Sequence, residues 1–201
     1  MEYTVYTIGH STISNEEFIK LLKHYKINCI VDVRSVPYSQ YANQFNRELI
    51  KNELKKNRIM YIYMGEEFGA RRKDKNLYTN SVLDFEKTAK DKSFIKGVER
   101  VKEGLEKGFN IAIMCSEKEP INCHRCILVG HQLSQIGWKV NNILSDSLTI
   151  EQSKIDILLL DKYYPNRNQL SIFGNPSDKE LIAKAYKKQN HEIGYRKENE
   201  N

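Results

Sequence analysis

The chain is predicted to fold as an α/β protein: an open, mostly parallel, Rossmann-like sheet with helices on both faces and a helical C-terminal extension. Three observations predict it. Residues 28–33 (NCIVDV) and 110–114 (NIAIM) are short, nearly continuous apolar runs, as strands buried on both faces are. The stretches between such runs carry apolar residues at helical spacing. Strands alternating with helices then imply crossover connections and parallel pairing. Residues 1–164 are assigned to this domain. Residues 165–201 are assigned to the extension, packed on the same domain and ending in a few disordered polar residues.

Residues 3–9 alternate β-formers and end in Gly9-His10-Ser11, a strand entering a turn. Ser14-Asn15-Glu16-Glu17 has the pattern of a capping box, and Phe18, Leu21, Leu22 and Tyr25 follow at helical spacing. After the strand at 28–33 comes a polar, aromatic loop at 37–45, then a helix over 48–56 with Leu49, Ile50 and Leu54 facing inward. A third strand covers 59–64, and the loop 65–79 contains Gly65, Gly69, Arg71 and Arg72.

Helices are expected over 81–90 and 93–107, the second ended by Gly108 as its C-cap. Residues 110–114 form the clearest buried strand. A loop, a helix from about 123 to 135, the stop Gly137 and a strand over 139–144 come next. An Ile- and Leu-rich helix covers about 150–160, Pro165 and Pro176 bracket an irregular segment, and 178–190 form a last helix.

Composition bounds the function classes. Charged residues make up 29% of the 201 and apolar ones 40%, a globular balance that excludes a disordered chain. A chain of this length buries enough surface to need no disulfide or metal staple. The opening MEYTVYTIGH has neither a basic nor an apolar leader region, and no uncharged apolar run approaches the ~20 residues that cross a bilayer, so a cytoplasmic protein without membrane partners is expected. Four cysteines, two of them three apart, suit metal, redox or catalytic use, or burial, better than a disulfide framework. The net charge of +6 favours an anionic partner, a small molecule or nucleic acid. Lysine-rich helix faces at 51–58 and 184–188 account for much of that excess equally well as solvated surface.

Ligands of open parallel sheets bind beyond the carboxyl ends of the strands. After the first strand come His10 and Ser11; after the second, Asp32 and Arg34; after the third, Gly65, Gly69 and Arg71; after the fourth, Cys115 and Glu117, then Cys123, His124 and Arg125; after the fifth, Asp146. Cys115, Glu117, Asp32, His10, Cys123 and His124 are therefore the candidate catalytic residues. Arg34, Arg125, Arg71, Ser11, Gly65 and Gly69 are the candidate anion- or substrate-binding residues. Arg34 lies two residues beyond Asp32 and points the same way, so the two can pair or hold an anion together. The reference pKa of histidine suits His10 to acid–base work, and a satisfied, partly buried imidazole is the plainer reading.

The strongest feature is the stretch from Cys115 to Arg125. A cysteine at the N-terminus of a helix gains nucleophilicity from a lowered pKa, Arg125 could hold a phosphate or carboxylate, and Glu117 could move a proton. The bland alternative makes Cys115 core packing and Arg125 half of an ion pair. No metal or cofactor is assigned. Zinc on Cys115, Cys123, Cys126 and His124 is the lesser alternative, because structural zinc sites show two well-spaced ligand pairs and Cys126 falls one turn inside an expected helix. A rhodanese-like outline is also present, but the segment from Cys115 to Arg125 is longer than a rhodanese loop, acidic and interrupted by Pro120.

Thr7-Ile8-Gly9-His10-Ser11, Val31-Asp32-Val33-Arg34, Met114-Cys115-Ser116-Glu117 and Cys123-His124-Arg125 resemble the signature blocks of the domain-of-unknown-function family 488, and Asn190–Arg196 resembles its C-terminal signature. Gly65–Arg71 is similar to its Gly-rich loop, with Ala70 where a second glycine is common. The resemblance covers nearly the whole chain. It implies a Rossmann-like fold, the residue cluster above and a link to nucleic-acid or nucleotide processing, without an established reaction. Three functions follow as expectations: an enzyme acting on an anionic nucleotide or nucleic-acid substrate, a non-enzymatic nucleic-acid-binding module, and rhodanese-like sulfur transfer.

Overall fold

The computed structural model describes residues 3–144, 148–167 and 176–197. Asp146 and the last few residues of the chain lie outside the described residues. Six strands form one sheet in the order β3-β2-β6-β1-β7-β8: β1 (Thr4–Gly9), β2 (Cys29–Asp32), β3 (Met60–Tyr63), β6 (Ile111–Cys115), β7 (Lys139–Ile143) and β8 (Thr149–Glu151). All pairings are parallel except β7 with β8, which is antiparallel. The connections are right for an α/β protein of mostly parallel, Rossmann-like build, and no helix among the described residues is long and apolar enough to cross a membrane.

Alternation along each strand divides the core into two layers. On β6, Ala112 and Met114 join Ile8, Ile30, Phe18, Leu22, Ile50 and Leu54 beneath α1 (Asn15–His24) and α2 (Arg47–Lys56). Ile111, Ile113 and Cys115 face the other way, into a larger layer with Val5, Val31, Phe94, Val101, Leu128 and Leu159. That layer lies beneath α5 (Lys92–Glu106), α6 (His131–Gln135), α7 (Gln152–Tyr163) and α8 (Asp178–Ile193). This two-face alternation decides which rim residues can meet.

Several expected elements change form. The helix expected over 81–90 is instead a β-hairpin, β4 (Tyr78–Thr79) and β5 (Val82–Leu83), followed by the short α4 (Phe85–Ala89). Asn80 and Ser81 form its two-residue turn with φ of 50° and 64°, the left-handed pair that matches strand twist. Long-range partners hold it: Leu83 N–H donates to the Tyr195 carbonyl and Lys197 N–H to the Ser81 carbonyl. The loop after β3 begins with a single helical turn, α3 (Gly65–Phe68). The helix expected from about 123 is a π-helical turn, Arg125–Gly130, running into α6. The helix expected from 150 yields its start to the edge strand β8.

Leu49, expected inward, is exposed, while Ile50 and Leu54 are buried. Gly108 and Gly137 end their helices with φ of 85° and 87°. Ser14 Oγ accepts from Glu17 N at 3.1 Å, while the full reciprocal capping box forms at Ser177 and Glu180, opening α8.

Candidate functional site

The carboxyl ends of β1, β2 and β6 lie side by side because their register is parallel and nearly level: Gly9 is opposite Cys115, and Asp32 is opposite Met114. The ladder continues past the strands. His10 and Ser11 donate their N–H groups to the carbonyls of Cys115 and Ser116 at 3.0 and 2.9 Å, and Val33 N–H donates to Met114 O at 3.0 Å. Ser11 takes φ of 48° as the chain leaves the sheet. The expected residues therefore share one rim. The pleat then divides them between its two faces, and they form two clusters where the sequence suggests one.

On the α1/α2 face lie Asp32, Arg34 and His10. Arg34 donates through Nε and Nη2 to the two oxygens of Asp32, at 2.9 and 2.6 Å, a bidentate pair buried on both sides. Nη2 also reaches the Phe45 carbonyl at 2.9 Å, and Tyr61 OH donates to Asp32 Oδ2 at 2.7 Å. His10 Nδ1 lies 2.8 Å from the Ser11 carbonyl, so it carries the proton, and Nε2 accepts from Arg34 Nη1 at 3.0 Å. The ring stacks on Phe45 with centroids 4.1 Å apart. Burial, then the Arg34 charge, pushes its pKa down to about 4. His10 is neutral, with both nitrogens engaged; it holds Arg34 in place instead of carrying protons.

On the opposite face lie Cys115, Cys123 and His124. Their Sγ and imidazole donor atoms are all within 4.8 Å of one another. Cys115 is 7% exposed and Cys123 3%. A 3-10 turn at Pro120–Asn122 leads to Cys123 in extended conformation, and Cys123 O accepts the N–H groups of Cys126 and Ile127 as the π-turn begins. Cys123 is thus folded back toward the strand-end Cys115. His124 Nε2 lies 3.2 Å from the Val33 carbonyl, which fixes that nitrogen as the donor. The lone pair of Nδ1 then faces Cys115 Sγ at 3.8 Å. The hydrogen bond to Cys123 and burial hold the Cys115 thiol well above its ordinary pKa. At Cys123 the Cys115 thiol, Arg125 and His124 overcome burial and hold it well below.

Arg125, expected to hold a substrate anion, is fully buried. Its Nη1 donates to the Glu117 carbonyl and its Nη2 to the Lys118 carbonyl at 3.0 Å, while Nε has no partner among the described residues. The guanidinium pins the loop that carries Glu117, whose own side chain is exposed. Gly9 makes this possible: a Cβ there would stand 1.9 Å from Glu117 O and 2.9 Å from Arg125 Nη1. Gly65 is equally constrained, since a Cβ would meet Tyr63 OH and Arg34 O at 2.3 and 2.4 Å, and Gly69 packs against Gly65 O and Ser35 Oγ. These glycines allow backbone to pack closely where β2 ends. Arg71 N–H donates to Ser35 Oγ at 2.8 Å, and its exposed guanidinium lies over the Tyr195 ring at 5.1 Å. The neighbouring Arg72 is buried against the Glu66 and Glu67 carbonyls and Ser93 Oγ.

Cys126 takes no part in the cysteine cluster. It lies beside Gln152, and burial pushes its thiol up to about 12. Gln152 joins Asn142, Thr7, Tyr186 and Asp156 in a buried hydrogen-bond network under the π-turn. Sequence reasoning missed Tyr61, Phe45 and the Val33 carbonyl. Tyr61 was recoverable, because it pairs with Ile30 and so shares the face of Asp32. The carbonyl carries no side-chain signal.

The model of one protein family, described as "Domain of unknown function DUF488", matches residues 14–131. The match includes Asp32, Arg34, Cys115, Glu117, Cys123, His124 and Arg125, and leaves Thr7–Ser11 and the C-terminal block outside it. No curated protein and no solved structure matches the chain. With a match over more than half of its length, the chain belongs to the DUF488 family, a family of unknown function.

Proposed function

We propose that the protein is an enzyme acting on an anionic substrate, a nucleotide or nucleic acid, at the cysteine-bearing face of the rim. The observation that carries this reading is the convergence of Cys115, Cys123 and His124, from two separate chain segments, at the carboxyl ends of the parallel strands. Convergent thiol and imidazole groups at that edge are what a reacting centre requires. Glu117, two residues beyond Cys115 and exposed, moves the proton. Arg71 and the net charge of +6 attract the anion. Arg34 and Arg125 have their donors turned to protein oxygens, so they brace the site, together with Asp32 and His10, while Ser11, Gly65 and Gly69 shape its backbone.

The test is turnover of nucleotides and short single-stranded oligonucleotides by the native chain and by Cys115→Ser and Glu117→Gln. Both variants should bind, with rates lower by ~10²–10⁴-fold. Full rates in both variants would overturn the reading.

A second reading, a non-enzymatic nucleic-acid-binding module, is favoured by Tyr38 and Tyr41, 65% and 92% exposed on the loop after β2 and free to stack on bases. It predicts steeply salt-dependent binding that survives both substitutions. Sulfur transfer is the least supported. A persulfide on Cys115 would face Cys123, which would attack its inner sulfur, break the sulfur–sulfur bond, release hydrosulfide and leave a Cys115–Cys123 disulfide.

A further inference from the structure

We infer that Cys115, Cys123 and His124 form a three-ligand site for zinc or a similar thiophilic divalent cation, with the fourth position left for water or substrate. The inference rests on the proposed function for its catalytic meaning, and on geometry for the metal. Tetrahedral zinc bound at ~2.3 Å to sulfur and ~2.0 Å to nitrogen places two sulfurs about 3.8 Å apart and sulfur about 3.6 Å from nitrogen. Here Cys115 Sγ and His124 Nδ1 are 3.8 Å apart, and all three donors lie within 4.8 Å of one another. The Cys115–His124 edge already matches, and the separations that involve Cys123, at most 4.8 Å, close to the tetrahedral values by side-chain movements of no more than about 1 Å.

The second shell fits as well. A ligating imidazole characteristically donates its other N–H to a carbonyl, which orients the ring and raises its basicity. His124 Nε2 has that partner in Val33 O, so Nδ1 presents its lone pair to the thiols. Burial separates this reading from a free nucleophile. A thiolate that attacks substrate is partly exposed, whereas Cys115 and Cys123 are both almost fully enclosed. Two thiolates neutralise a divalent ion, so the filled site can be buried without net charge. The charge of the nearby Arg125, whose Nη donors are already engaged by the Glu117 and Lys118 carbonyls, then favours an anionic oxygen at the fourth position.

The sequence counted against a metal because it shows no two spaced ligand pairs and because Cys126 looked like a ligand misplaced in a helix. The fold removes both objections: Cys126 belongs to the Gln152 network, and the fold brings Cys115 across to Cys123 and His124. Sets of two cysteines and one histidine are used at catalytic zinc centres that keep an open position.

The experiment is Co²⁺ titration of the reduced full-length chain, with zinc content of the purified protein measured in parallel by mass spectrometry. One equivalent of Co²⁺ should give thiolate-to-cobalt charge-transfer absorption and the intense visible bands of tetrahedral geometry, and Zn²⁺ should displace it. Cys115→Ala, Cys123→Ala and His124→Ala should each lower cobalt affinity by at least tenfold, with folding followed by circular dichroism. Cys126→Ala should bind as the native chain does. Absence of charge-transfer bands in the folded native chain, or equal loss in Cys126→Ala, would overturn the site. The two readings fail separately: turnover that persists undiminished after chelation removes the metal from the mechanism, while stoichiometric metal without turnover leaves the site and removes the enzyme.

Discussion

The rim and a large cleft of this molecule invite opposite readings. The cleft, about 980 Å³, opens between the β4–β5 hairpin, α6 and α8, and its floor includes His131, Tyr186 and Asp156. The rim has reactive groups and very little room. Its thiols are enclosed, Arg34 and Arg125 are turned to protein oxygens and its histidines are engaged. In the cleft, His131 stacks on Tyr186 with ring centroids 3.6 Å apart, and its Nδ1 has no hydrogen-bond partner among the described residues. Volume therefore marks where the C-terminal helix fails to fill a gap. Chemistry marks where parallel strands end in register. The more tightly constrained region is the crowded one, since Asp32, Arg34 and His10 there are each held by two or more partners.

That contrast can be broken most sharply at Arg125. If it braces the rim, Arg125→Ala leaves two carbonyls unsatisfied and a side-chain void, costing ~3–5 kcal/mol in urea denaturation. An arginine that only met substrate would leave stability unchanged and weaken ligand binding alone. Acid should reveal both regions at once. His10 at the rim and His131 in the cleft are each pushed down to about 4, by burial in both cases and by Arg34 as well at His10. Unfolded histidine binds its proton near 6.5, so the unfolded chain takes up more protons between those values. Stability present above pH 6.5 is lost as pH falls toward 4, by up to ~3 kcal/mol for each histidine. His10→Phe and His131→Phe should each remove their share of that slope, measured as the denaturation midpoint against pH.

A smaller effect is expected at Gly9→Ala. Its methyl group must push back the Glu117 carbonyl and Arg125, at ~1–3 kcal/mol, and it should lower cobalt affinity without touching a ligand. The smallest is the neutral-pH stability of His131→Phe. Replacing an unpartnered nitrogen by carbon should leave it within ~1 kcal/mol of the native chain or slightly raise it. A loss of several kcal/mol there would mean that the cleft floor is as constrained as the rim.

Much of this was legible beforehand. Strand positions followed from apolar runs, and the rim residues followed from asking what comes after each strand. The hairpin at Tyr78–Leu83 was not legible, because its strands are two residues long and are held by Tyr195 and Lys197, more than a hundred positions away. The separation of Asp32, Arg34 and His10 from Cys115, Cys123 and His124 was available in principle from strand parity. It required the exact register of β1, β2 and β6.

By itself, then, the order of residues determined an α/β chain, its buried strands, its family and the set of reactive groups at one edge of the sheet. Those are local matters of periodicity, composition and motif. Tertiary structure alone decided which of these groups meet, that Arg34 and Arg125 turn their charges inward, and that Cys126 stands apart from its neighbours. The physical reason is that hydrogen-bond saturation and the face a side chain occupies depend on partners distant in sequence, and only the assembled sheet brings those partners into range.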